Sequence, residues 1–247
     1  MVFIGFGTVV NVVTVAVGAG VGLGLGNRIP VRARDVITDV LGLMTLVLGG
    51  LSAVSITSAE FARAVGGGAS TLIVLGSLLV GALVGTALRL EERLEGAADW
   101  LRVRLPGTGE SGTFVDAVVT PTLLFCVGPL TILGAISDGL GRGSGQLVVK
   151  AVMDGFAAIA FASTLGAGVL VAAVLLGVIQ GALTLTAALL GSFLSLAQID
   201  ALSATGGVLL LALGLRLLKI RAIPVANLLP ALLLAPLAVA AVGAFVH

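Results

Sequence analysis

The chain is poor in charge. Asp, Glu, Lys and Arg together make up 10% of its 247 residues, against about 25% in an ordinary soluble domain. A soluble surface needs charge to stay dispersed, so a soluble globular fold is excluded. The 13 basic and 12 acidic residues nearly cancel, and no concentrated basic face is left for nucleic acid. Cys126 is the one cysteine and His247 the one histidine. A single thiol makes neither an intramolecular disulfide nor a cysteine metal cluster, and a lone final histidine excludes a His-rich metal site. Tyrosine is absent. So are HExxH, the GxSxG elbow, the Walker loop and a GxGxxG after a strand. The expectation is no enzyme, no metal and no cofactor.

What the sequence has in plenty is apolar bulk. Apolar residues make up 58%, with 36 glycines besides, and the mean hydropathy is +1.23. This composition predicts an all-α, polytopic transmembrane helical bundle occupying 1–247 as one integral membrane domain. At about 20 residues per span, the runs between charge clusters give about eight helices. They fall at roughly 5–26, 36–54, 68–88, 115–136, 147–164, 167–191, 200–218 and 223–245. Only Thr164 to Gly166 divides the fifth from the sixth, so seven spans with a re-entrant element is the competing count.

Cation placement sets an expected orientation. Arg28, Arg32 and Arg34 follow the first span, Arg89, Arg93, Arg102 and Arg104 follow the third, and Arg216, Lys219 and Arg221 follow the seventh. With eight spans these basic loops share one side, which the positive-inside rule makes cytoplasmic. Both termini are then outside the cell membrane. Met1 to Gly5 carry no Lys or Arg, so the basic start of a cleaved signal peptide is missing. Three helices (1–88) are joined to five (114–247) by a connector at 89–113. In it Leu90, Leu94, Ala97, Ala98 and Leu101 recur at helical spacing beside Trp100, which predicts an amphipathic helix along the cytoplasmic interface. Pro106, Gly107, Gly109, Ser111 and Gly112 then form a linker.

Gly18, Gly22 and Gly26 form a stripe of small residues, as do Ser77, Gly81 and Gly85. Such stripes let membrane helices approach closely, within the chain or in a homo-oligomer; the alternative is bare backbone lining a pore. GLMTLVLGG at 42–50 also matches GVLLLALGL at 207–215 at Gly42/Gly207, Leu46/Leu211, Leu48/Leu213 and Gly49/Gly214. On oppositely directed spans this would be an inverted repeat, a common build of secondary transporters.

Ionisable groups inside a bilayer are costly and so mark function. Asp154 stands about two turns into the fifth span, with Lys150 one turn earlier, within reach of its carboxylate; the two either neutralise each other as a purely structural pair, or Asp154 binds a cation or proton and Lys150 an anionic group. Asp138, at the outer end of the fourth span, is expected in solvent. Gly128-Pro129 interrupts the fourth span, and Pro224, Pro230 and Pro236 surround Asn227 in the eighth. Carbonyls freed by such breaks must face protein or a water-filled cavity. Asn11, Gln180 and Thr184 complete the polar set. Each amide alone reads as an interhelical hydrogen bond; together with broken helices and one acid they are what a midplane solute site requires.

Three segments carry a family resemblance: FCVGPLTILGAISDGLG at 125–141, KAVMDGFAAIAFASTLGAGV at 150–169, and GGVLLLALGLRLLKIRAIPVANLLPALLLA at 206–235. With Asn11 in its glycine-rich span and the IPVRAR that follows, they resemble the YqgA/YdfK-like bacterial inner-membrane family over nearly the whole chain. That resemblance implies a helical inner-membrane protein and supplies no substrate. The expected function is a small-solute or ion permease working by alternating access around Asp154, with Lys150, Asn11, Gln180, Thr184 and Asn227 as polar contacts. The alternative is a non-transporting scaffold or partner subunit. Its partners are the lipid bilayer and an unidentified small solute or ion, not nucleic acid.

Overall fold

The computed structural model describes residues 3–26, 28–66, 68–93, 96, 111–126, 129–190 and 194–246. The sequence expectations for the interfacial helix around Trp100, most of the linker, Gly128 and His247 lie outside them. All regular structure among the described residues is helical. The helices are α1 (Phe6–Gly26), α2 (Val31–Ala53), α3 (Ala59–Val65), α4 (Ala69–Ala87), α5 (Ser111–Cys126), α6 (Pro129–Gly139), α7 (Gly145–Leu165), α8 (Gly168–Leu190), α9 (Leu196–Leu217) and α10 (Ala231–Val246).

The breaks fall where backbone chemistry requires. α7 stops at Gly166, whose φ of +90° is in the left-handed region that favours glycine, so the fifth and sixth spans are separate helices. α5 ends at Cys126 and α6 opens at Pro129, the first helical position, where a missing N–H costs nothing. The axes of α5 and α6 differ by 60°. The predicted eighth span is helical only from Ala231; before it, Val225–Leu228 form a 3₁₀ turn entered from Pro224, and Pro230 immediately precedes α10.

The chain divides into two compact units, residues 1–41 with 95–193 and residues 42–94 with 194–247. The first contains α1, α5, α6, α7 and α8. Its closest seam is glycine on backbone. A methyl placed on Gly18 would stand 3.3 Å from Ala158 Cβ, on Gly22 2.8 Å from Ala162 Cβ, and on Gly26 3.0 Å from the Ser163 carbonyl. The stripe predicted on α1 is therefore a helix–helix seam, and it is filled by α7. Residue numbers rise together along it, so α1 and α7 run parallel.

The same test resolves the bent pair. A methyl on Gly168, at the start of α8, would meet the Phe114 carbonyl of α5 at 3.0 Å. A methyl on Gly139, at the end of α6, would meet Ala187 Cβ near the end of α8 at 2.8 Å. The two short helices thus accompany α8 along its length as one broken span, and do not fold back as a re-entrant hairpin. Among the described residues seven helices have the length and hydropathy of a crossing, and the bent pair, counted as one span, brings the number to eight. Parallel α1 and α7 agree with this number, since an odd number of crossings must separate them.

In the second unit, Gly81 and Gly85 of α4 face Ala231 and the Asn227 backbone, so this stripe too is consumed within the chain. Phe61, Val65, Ile73, Val74, Ala201 and Val239 form its apolar core. The matched segments 42–50 and 207–215 touch directly: a methyl on Gly49 would lie 2.9 Å from the Gly207 carbonyl, and one on Gly214 3.0 Å from the Gly42 carbonyl. Numbers rise on one as they fall on the other, so the similar segments pack antiparallel through their glycines.

Candidate functional site

The first unit brings together five of the six polar residues singled out in the sequence. Lys150 and Asp154, one turn apart on α7, form a buried ion pair at Asp154 Oδ2. Asn11 of α1 donates through Nδ2 to that oxygen at 3.1 Å and to Gln180 Oε1 of α8 at 3.0 Å. Gln180 Nε2 donates to Thr8 Oγ1 at 3.2 Å, and Thr8 Oγ1 lies 3.2 Å from Thr184 Oγ1. Asn11 and Gln180 are 0% exposed, Lys150 and Asp154 6% each. Asp154 is about 13 Å along α7, a helix of about 31 Å at 1.5 Å per residue, so the charges sit close to mid-span.

Helical spacing explains the assembly. Lys150 and Asp154 share a face of α7, and Gln180 and Thr184 a face of α8, because residues four apart are stacked. Thr8 and Asn11 do the same on α1 at spacing three. The glycine seam between α1 and α7 then brings Asn11 to the carboxylate. The break is part of the site. Lys150 Nζ stands 5.8 Å from the ring centre of Phe125, the penultimate residue of α5, a distance at which the ring face attracts a cation. The Phe125 carbonyl, adjacent to the break, accepts a hydrogen bond from Thr131 Oγ1 at 2.7 Å.

Among the described residues Asn11 Oδ1 of this network is fully buried and unbonded. Its orientation is fixed by chemistry. An ionised carboxylate only accepts, so the Nδ2 of Asn11 must face Asp154 and the carbonyl oxygen must point elsewhere.

The arrangement rests on residues that lie within one family match spanning residues 6–240, described as "Protein of unknown function (DUF554)". The chain belongs to the DUF554 family. It is similar to the uncharacterized membrane protein YdfK of Bacillus subtilis (strain 168), 28% identical over 242 residues, covering 97% of this chain and 98% of that one. It is also similar to the uncharacterized protein YqgA of Escherichia coli (strain K12), 35% identical over 234 residues, covering 93% and 94%. No solved structure matches the chain. A membrane protein of the DUF554 family is thus shown, in keeping with the resemblance drawn from the sequence.

Two sequence expectations change within this DUF554 chain. Asp138 is not in solvent: it is 4% exposed and its Oδ2 accepts the Gly7 N–H of α1 at 3.1 Å. The first N–H groups of a helix have no intrahelical partner, and the positive end of the helix dipole favours an anion there. An acid from α6 therefore caps α1, a meeting 131 residues apart in sequence.

Asn227 is not part of the Asp154 network. It belongs to the second unit, where its Oδ1 accepts the Glu91 N–H at 3.0 Å. Glu91 pairs with Arg216 at 2.5 Å and accepts the Ala226 N–H at 3.0 Å, while Arg216 also reaches the Ile223 carbonyl at 3.3 Å. This second cluster ties the helical turn at 90–93 to the end of α9 and the 3₁₀ turn. Sequence reading missed Thr8, Phe125, Glu91 and Arg216. Thr8 was detectable, since it shares a helical face with Asn11; the others meet their partners only through the fold.

Proposed function

We propose that this protein is a small-solute permease of the cell membrane, with the Asp154 network as its solute site and no enzymatic activity. The observation that carries the reading is a charged pair buried near mid-span beside a broken helix, with an unbonded amide oxygen next to it. Ionisable residues at such depth are costly and are kept for pathways and binding. Broken spans supply the irregular backbone that moves in alternating access. No nucleotide-binding motif is present, so the solute gradient or a coupling ion would drive transport. Both termini would lie outside, with the basic loops in the cytoplasm. A homo-oligomer would use outward-facing Gly20 and Gly24 of α1, which meet nothing within 4 Å, because the Gly18 stripe is already covered.

A second reading, a scaffold or partner subunit, is favoured by one observation. Among the described residues one groove lies at Leu72, Gly76 and Leu237 and another at Val17, Gly18 and Phe156. Both are walled mostly by apolar side chains, with Ser77 in the first and Thr14 in the second, and Asp154 lines neither. The deciding experiment compares wild type with Asp154→Asn after folding is confirmed, reading small-solute uptake into proteoliposomes across pH and sodium concentration. A permease loses uptake in the variant, because an amide of the same shape carries no charge. Uptake unchanged, with no pH or sodium dependence in either form, rejects coupling through Asp154. Absence of uptake in both forms leaves the scaffold.

A further inference from the structure

We propose that the solute is a zwitterion of the α-amino-acid type, its ammonium held by Asp154 and Asn11 Oδ1 and its carboxylate by Lys150. This rests on the permease reading above and names its substrate class.

The argument starts from charge balance. The buried network holds one cation, Lys150, and one anion, Asp154; Asn11, Gln180, Thr8 and Thr184 are neutral. Its net charge is therefore zero. A lone cation bound there would leave an uncompensated positive charge near the middle of the bilayer, and a lone anion a negative one, each costly in a low dielectric. A ligand of zero net charge avoids both.

Hydrogen-bond chemistry narrows the class further. Asn11 Oδ1 is a buried acceptor without a donor, and both bonds reaching Asp154 fall on Oδ2. The site thus offers acceptors to a ligand that brings N–H groups. Lys150 makes one bond to Asp154 out of the three its ammonium can donate, and so offers donors to a ligand that brings a carboxylate. In an α-amino acid the two charges sit on adjacent carbons. Such a ligand inserts between Lys150 and Asp154 and replaces one ion pair by two. An uncharged solute would have to break the pair without restoring it. Phe125, at the end of α5, lies against the Lys150 ammonium on the side of the broken span.

The test uses purified full-length protein in lipid nanodiscs and reads thermal stability. Probes at equal concentration are each standard L-amino acid, the amine made by removing its carboxylate, the acid made by removing its ammonium, and sodium chloride. A bound ligand raises the unfolding temperature. The expected result is a shift with one or more amino acids and none with the matching amine, acid or salt. No shift with any amino acid overturns the proposal. An equal or larger shift with an amine, an acid or sodium also overturns it, but leaves the permease reading standing with a different solute.

Two variants add a readout that packing alone would not move. Lys150→Gln gives the site one net negative charge and should reverse the preference toward the amine. Asp154→Asn should reverse it toward the acid. Each should weaken the amino acid about thirtyfold or more, the loss expected when one partner of a buried charge contact is removed. Folded variants that keep the wild-type preference overturn the proposal, and should neither fold, the wild-type panel decides it.

Discussion

Both units of this chain contain a buried or half-buried ion pair of a basic side chain with a carboxylate, but the two pairs differ in where they sit and what surrounds them. Lys150–Asp154 lies near mid-span within a single helix, and its neighbours are the side chains of Asn11 from α1 and Phe125 from α5. Arg216–Glu91 lies at helix ends, its side chains 18% and 15% exposed, and its neighbours are backbone groups at Ala226 and Ile223. The second pair binds backbone: Glu91 accepts the Ala226 N–H at the start of the 3₁₀ turn, where helix N–H groups lack an intrahelical partner, and Arg216 donates to the Ile223 carbonyl. It closes a loop. The first closes nothing, since the helix that carries it is continuous from Gly145 to Leu165. A charge pair with no backbone to satisfy, placed where charge is most expensive, is the feature on which the proposed solute site rests, and the clasp lacks it.

Breaking the first pair should have the largest effect. Asp154→Asn leaves the Lys150 ammonium buried without a counter-charge, a loss of about 3–5 kcal/mol, seen as a lower unfolding temperature. Adding Lys150→Met should recover part of it. Losses that simply add in the double variant would show that the residues do not act as a pair.

The glycine seams come next, one from each unit. Gly22→Ala pushes a methyl toward Ala162 Cβ at 2.8 Å, and Gly85→Ala pushes one into the Asn227 backbone. Each should cost about 1–3 kcal/mol by overpacking. Gly24→Ala, which faces open space, is the control and should be neutral or stabilising by about 0.5–1 kcal/mol. A similar response at Gly22 and Gly24 would mean that α1 does not pack on α7 through this face.

Glu91→Gln should be milder, about 1 kcal/mol or less, as for a partly solvated ion pair, because the amide oxygen still accepts the Ala226 N–H. Its partial exposure makes it sensitive to screening. Raising the salt concentration should therefore narrow the gap between wild type and Glu91→Gln, while the Asp154→Asn gap stays put. Equal salt sensitivity at both pairs would erase the contrast between them.

The smallest perturbation tests the frame in which both pairs are placed. Single cysteines introduced at Ser111 and at His247 should be labelled by an impermeant reagent from opposite faces of the membrane, the buried native Cys126 staying silent. Labelling of both from one face would reject the eight-span orientation.

Much of the site was legible because helical spacing carries it. Lys150 and Asp154 at i, i+4, and Gln180 and Thr184 at the same interval, share faces in any α-helix. The link between those faces was not legible, since Asn11 could equally have bonded within its own neighbourhood. Asp138 and Asn227 show why. Each is polar and near a break or an end, and nothing local says whether its partner is water, a remote helix terminus or the Asp154 network.

The sequence by itself determined the membrane, the all-helical architecture, the positions of most helix ends, and the glycine faces. These follow from composition and from interactions within a turn or two of the chain, where hydropathy, the spacing of small residues, proline and left-handed glycine act locally. Tertiary structure alone decided that α1 pairs with α7, that α5 and α6 make one span beside α8, that Asp138 caps α1, and that Asn227 serves the Glu91 clasp instead of the Asp154 network. In lipid every apolar helix face is about equally content, so hydropathy cannot choose partners. Close backbone approach and the few buried polar groups choose them, and both depend on residues far apart in sequence.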